Sequence, residues 1–193
     1  MGEYTGIGIN LNTFGSLFLI AALLAAAFFV FAKVRSAYRV HGRLSRAIAI
    51  LQVAYFCLYA IASYAFLDSR PSQVSTDGLL FPLALVFMTI GFLLVVFSMP
   101  FLGQRSFGRE VGSLRISGLY RYSRNPQLVG GFFSIVGYAM LWPSWKGALW
   151  ASLWLVIAYL MVRGEEEHLE KVFGAEYRNY CAQTPRYLGL PKR

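Results

Sequence analysis

Negative charge is what this chain has least of. Nine Asp and Glu stand against 18 Lys and Arg, and all charged residues together make up 14% of its 193 positions, where soluble domains carry about a quarter. That scarcity beside 57% hydrophobic residues excludes an ordinary soluble domain. Histidine and cysteine are equally sparse: His41, His168, Cys57 and Cys181 are the whole supply. They form no CxxC or His/Cys cluster, so a zinc site lacks ligands, and two histidines are too few for a haem argument. Cys57 lies in an apolar run and Cys181 in the C-terminal polar segment, an arrangement that does not favour a mutual disulfide. No strand pattern precedes Gly130-Gly131, so these glycines do not form a dinucleotide loop; close helix packing is the better use for them. The N-terminus lacks a basic region and a small-residue cleavage site, so the first apolar run is expected to stay as an anchor. Internal repeats and flexible linkers are missing too. The length fits one integral-membrane domain over 1–193, with three N-terminal spans in 1–102 and a loop, helical hairpin and tail in 103–193.

Apolar runs near the roughly 20 residues that cross a bilayer cover Phe14 to Ala32, Ala47 to Leu67 and Leu79 to Leu102. Two shorter runs follow, Leu128 to Leu141 and Ala148 to Val162, joined by Trp142-Pro143-Ser144-Trp145. Proline and paired tryptophans suit a hairpin tip at the membrane interface. The expected fold is therefore all-α and integral to the membrane, with about five transmembrane helices, a C-terminal hairpin and a helical tail. Basic residues gather between the first and second runs, between the third and fourth, and after the fifth; only Arg70 and Lys146 fall on the other side. By the positive-inside rule the N-terminus lies outside and the C-terminus in the cytoplasm, at the plasma membrane if the source is prokaryotic. The net charge of +9 follows loop parity and anionic headgroups, which argues against nucleic acid as a partner.

Chemistry concentrates in two polar blocks. The first, Gly118 to Pro126, ends in Arg124-Asn125-Pro126. Pro126 suits the first position of a helix and Asn125 its N-cap, where the side-chain oxygen accepts a free backbone N–H. A helix N-terminus beside Arg121 and Arg124 is also an anion site. The second block is Glu165-Glu166-Glu167-His168, directly after the fifth run. Glu167 and Lys171 are spaced for a helical ion pair, while Glu166 and Glu170 share a face, as do Glu165 and Leu169. One of those faces should look toward Arg124 and Asn125, because the last two runs form a hairpin. Basic and hydrogen-bonding groups opposite carboxylates suit a zwitterionic, nucleoside-bearing ligand.

Ser117-Gly118-Leu119-Tyr120, the stretch Arg124 to Gly130, Glu165-Glu166 with Leu169, Phe173-Gly174, Glu176-Tyr177, Tyr180 and Pro185-Arg186 together resemble the isoprenylcysteine carboxyl methyltransferase and phospholipid methyltransferase superfamily. The resemblance implies a membrane enzyme using S-adenosylmethionine on its cytosolic side. Cofactor contacts would fall on Gly112, Ser113, Leu114, Arg115, Tyr120, Arg124, Asn125, Pro126, Gln127, Leu128 and Glu165, with Glu165, Glu166 and Arg163 as candidate catalytic residues. The family often reads Arg-His-Pro-x-Tyr, where this chain has Asn125 and Leu128; Asn cannot titrate as a base. The prenylcysteine branch has an Arg four residues before the first Glu, where Met161 stands here, and Arg163 lies about 200° around the helix from it. A general lipophilic acceptor is therefore expected: a lipid amine, or the carboxylate or thiol of a hydrophobic molecule. Direct in-line methyl transfer needs alignment and exclusion of water, with Glu165, Glu166 or His168 as base for an amine. The acceptor would come laterally from the bilayer, with the second and third runs as walls; their aromatics, Tyr55, Phe56, Tyr59, Phe87 and Phe92, read first as core or lipid-facing residues. Two rival readings are a nicotinamide-dependent membrane reductase and a non-enzymatic scaffold.

Overall fold

Inside a bilayer an apolar run satisfies its backbone by becoming a helix, and every regular element among the described residues is helical. The computed structural model describes residues 11–67, 74, 76, 78–106, 114 and 116–191, with the backbone alone at 11–13 and 99–106. Helix α1 covers Leu11–His41, α2 Arg46–Phe66, α3 Leu80–Ser106, α4 Pro126–Leu141, α5 Trp145–Phe173 and α6 Ala175–Gln183. A 3-10 turn, Gly118–Arg121, precedes α4. Four of these helices, α1, α2, α3 and α5, are long and apolar enough to span a membrane. Helix α4 has 16 residues, about 24 Å, and is shorter than the roughly 30 Å hydrocarbon core. The protein is a helical integral membrane protein. Helix α5 runs unbroken for 29 residues, so the fifth apolar run and the glutamate block are one rod. Gly174, at φ 52°, ends it in a conformation that a side chain disfavours.

Helix α1 packs against α2 and α5, α4 against α3 and α5, and α6 against the end of α5. The first group is held by large rings. Trp150 is fully buried and stacks with Tyr59 and Phe66 at 4.6 and 4.8 Å between centroids. The Tyr59 hydroxyl donates to the Trp150 carbonyl at 3.0 Å and the Tyr55 hydroxyl to that of Leu23 at 3.2 Å. Tyr55, Phe56 and Tyr59 thus belong to the α1/α2/α5 core. Phe87 packs on Phe133 of α4, and Phe92 is exposed. Because α2 packs on α1 and α3 on α4, the second and third runs belong to opposite halves of the bundle.

The α3/α4 seam has no large rings at its tightest points. A Cβ placed on Gly137 would lie 2.7 Å from the Ala84 carbonyl oxygen, and one on Gly130 2.7 Å from that of Gly91. Small residues let the two backbones touch, as van der Waals association in lipid requires. Gly131 is covered instead by the Trp154 ring. The seam fixes α4 between α3 and α5 and sets its N-terminus beside the end of α5.

Candidate functional site

The start of α4 is built by a local turn and by the returning tail. The Asn125 N–H donates to Ser123 Oγ at 3.0 Å, and the Asn125 carbonyl accepts from Leu128 and Val129 N–H at 3.0 and 3.2 Å. Asn125 therefore holds the N-cap position with Pro126 following, as its sequence suggests. Its side chain does other work: it makes no cap bond, and Nδ2 donates to the Arg186 carbonyl at 3.0 Å. The expected side-chain cap is corrected because the tail brings the Arg186 carbonyl to this point, where it accepts from the Asn125 amide instead. The Arg124 N–H bonds the Pro185 carbonyl at 3.0 Å and the Gly189 N–H that of Tyr122 at 3.2 Å, so residues 185–189 lie as a strap over 122–125.

Successive residues on a helix point about 100° apart, which sends the glutamates to different neighbours. Glu166 is held by Arg124 Nη1 at 2.9 Å and by Arg186 Nη2 and Nε at 2.7 and 3.0 Å. The Glu166 and Arg124 side chains are only 17% and 13% exposed, so this pair is largely desolvated. Glu167 turns to α1: it accepts from Arg35 Nε at 2.9 Å, pairs also with Arg35 Nη2, and accepts from Arg39 Nη2 at 3.0 Å. The expected Glu167–Lys171 pair gives way to these arginines, and the Lys171 ammonium bonds the Arg39 carbonyl at 3.4 Å. Glu165 is partly buried. The buried His168 ring stacks on Tyr38 of α1 at 4.3 Å.

Around Glu166 lies a small core of Leu114, Leu169, Tyr177 and Tyr180. The Tyr180 hydroxyl donates to the Tyr120 carbonyl at 2.7 Å, tying α6 to the 3-10 turn. Burial, with the nearby Glu166 carboxylate adding to it, pushes the Tyr177 phenol up, so it stays protonated at neutral pH. Its hydrogen bond to Glu166 raises Arg186 further above the ordinary arginine range. Arg124 Nη1 also contacts Cys181 Sγ at 2.7 Å.

Four buried side-chain atoms lack a hydrogen-bond partner among the described residues, Arg124 Nε, Gln127 Oε1, Trp150 Nε1 and His168 Nδ1, and the first two lie together at the start of α4. A buried donor and acceptor left unmade cost about 1–3 kcal/mol each, so a ligand that satisfies both gains affinity. Arg124 Nε suits a carboxylate and Gln127 Oε1 an ammonium, beside the start of α4.

Of the candidate residues, the structure brings Leu114, Tyr120, Arg124, Asn125, Pro126, Gln127, Leu128 and Glu166 to one end of the bundle, all buried or partly buried. The Leu128 carbonyl accepts from Trp154 Nε1 at 3.1 Å, fixing α4 on α5. Arg163 is exposed and donates to the Tyr159 hydroxyl at 2.8 Å, away from Glu166. Gly112, Ser113 and Arg115 lie outside the described residues. Sequence reasoning missed Arg35, Arg39 and Cys181 as partners. The only advance signal was that Arg35 and Arg39, four apart, share one face of α1.

A family model described as phospholipid methyltransferase matches residues 79–176, from the start of α3 to the first turn of α6. No curated protein matches the chain and no solved structure does.

Proposed function

The chain belongs to the phospholipid methyltransferase family, and from that premise we propose S-adenosylmethionine-dependent methyl transfer to a lipophilic acceptor held in the membrane. The observation that carries this reading is the buried Arg124–Glu166 pair, whose Arg124 Nε has no partner among the described residues, with the unpartnered Gln127 Oε1 on the next turn. A donor for a carboxylate and an acceptor for an ammonium, three residues apart at a helix start, fit the zwitterionic end of S-adenosylmethionine. Arg124, Gln127 and the backbone around Asn125 would hold that end, with Leu114, Tyr120 and Leu128 beside it, and Gly112, Ser113 and Arg115 as further contacts. When bound, the cofactor supplies an electrophilic methyl group already activated by its sulfonium.

The chain's own residues then orient and protect. Glu166, neutralised by two guanidiniums, fixes Arg124 and joins the strap to α5. Glu165 is the carboxylate we assign to take a proton from an amine acceptor; a carboxylate acceptor needs none. The strap and α6 exclude water from the cytosolic side, which strengthens electrostatics within. Arg163, bonded to Tyr159 on the exposed side of α5, is left outside the reacting groups in this reading. The site end of the bundle is cytosolic and the N-terminus outside, in keeping with the basic loops.

Calorimetry on detergent-purified protein tests the reading. Saturable S-adenosylmethionine binding is expected, weakened at least about tenfold in Arg124→Gln by loss of a charge-assisted bond. Folded protein that gives no heat with S-adenosylmethionine but responds to NADPH would move it to the reductases.

A further inference from the structure

Two cavities meet at Arg121 and Tyr122, which line both, and Glu166 lines neither. The larger, about 800 Å³, is walled by Glu176, Asn179 and Gln183 of α6 and floored by Leu190. Residues 176, 179 and 183 stand at i, i+3 and i+7, one polar stripe of a helix, while Tyr177 and Cys181 on the opposite side face Arg124. The smaller, about 500 Å³, is lined by Phe97 and Leu119. Phe97 is 62% exposed on α3, about a turn and a half before the end of the apolar run Leu79 to Leu102, so this cavity opens near the end of that run.

The order from bilayer to water is thus apolar wall, cation, hydrogen-bonding stripe. Arg121 makes no ion pair or hydrogen bond among the described residues, although Arg124, Arg178 and Arg186 each have a carboxylate. A guanidinium at this depth, between an apolar mouth and a polar chamber, matches the phosphate level of a lipid. Asn179 and Gln183 each offer donors and acceptors and Glu176 offers acceptors, which suits hydroxyl groups better than a second phosphate.

We propose that the joined cavities at Arg121 form a second lipid site, distinct from the Glu166 site, which takes the phosphodiester and hydroxylated headgroup of an anionic phospholipid. Its chains lie along Phe97 and Leu119, its phosphate on Arg121 and its hydroxyls against α6. Holding a lipid there braces the 3-10 turn and α6 from the side away from the methyltransferase site. The proposal rests on the two cavities, Arg121 and the membrane placement, and stands whether or not S-adenosylmethionine is the methyl donor.

The test is thermal unfolding of full-length, delipidated protein in detergent with added phosphatidylglycerol, phosphatidylethanolamine or soluble glycerophosphoglycerol. Phosphatidylglycerol at about ten times its Kd should raise Tm by roughly 4 °C, and the other two by less than half of that. Arg121→Gln should keep the unliganded Tm and lose the rise, Asn179→Ala with Gln183→Ala should lose the preference for phosphatidylglycerol, and Arg43→Gln should behave as wild type. An equal rise in Arg121→Gln and wild type, or no rise in wild type, would overturn the proposal. A rise of the same size with the soluble diester would overturn the lipid assignment.

Discussion

Helix α5 carries two unlike halves. From Trp145 to Met161 its buried positions are Gly147, Trp150, Leu153, Trp154, Ile157, Ala158 and Met161, held by shape against α1, α2 and α4. From Arg163 to Phe173 the same helix holds its neighbours by charge, with Glu166 reaching Arg124 and Arg186 and Glu167 reaching Arg35 and Arg39. In lipid there is no water to expel, so the first half depends on contact area and ring stacking. At the membrane boundary a carboxylate is partly desolvated, and each one specifies a partner because leaving it alone is costly. The apolar half gives the rod its place, and the charged half decides which segments gather at its end.

The largest effect should come from the apolar half. Trp150→Ala removes a fully buried ring that stacks on Tyr59 and Phe66, and a loss of about 3–5 kcal/mol is expected. Thermal unfolding in detergent would measure it; a loss under about 1 kcal/mol would mean that the aromatic stack does not hold α5.

Glu166→Gln should come next and act differently. It leaves Arg124, 13% exposed at its side chain, without its carboxylate. A cost of about 2 kcal/mol is expected, below the fully buried range because Arg186 is 43% exposed, together with loss of S-adenosylmethionine binding. A variant that binds normally would remove Glu166 from the site.

Alkaline pH tests the charged end through Tyr177. Burial, chiefly, raises its phenol above the ordinary value of 10.0, so the folded chain holds a proton that the unfolded chain releases. Its contribution is complete below pH 10 and is lost as pH rises beyond it. Tyr177→Phe should reduce that loss in a Tm series above pH 10.

The smallest effect belongs to Glu167→Gln. Glu167 and its arginines are 35%, 38% and 62% exposed at their side chains, and exposed pairs contribute about 0.2–1 kcal/mol. The change should shrink in high salt and leave ligand binding intact. If Glu167→Gln abolishes binding while Glu166→Gln spares it, the two glutamates have been assigned the wrong way round.

Much of this was legible in one dimension. Apolar run lengths marked the spans, and Pro126 marked the first residue of α4. Trp142-Pro143-Ser144-Trp145 marked the hairpin tip, and Gly130 a close helix contact. The glutamate block and Arg124 could be foreseen as facing one another because a hairpin brings its ends together. The side-chain role of Asn125 was not legible: an N-cap is decided locally, but the Arg186 carbonyl comes from 61 residues away. Nor was the partner of Glu167, because Lys171 is the near candidate in sequence while Arg35 is 132 residues distant.

Composition and local periodicity act within a turn or two, and they were enough to set the helices, the membrane as their solvent, and the polar blocks that cap α4 and end α5. Which carboxylate meets which arginine, and where α4 sits, was settled by packing between distant segments. Those choices depend on the angular phase of α5 against three neighbours and on backbones close enough to touch, and neither quantity is written in a single run of residues.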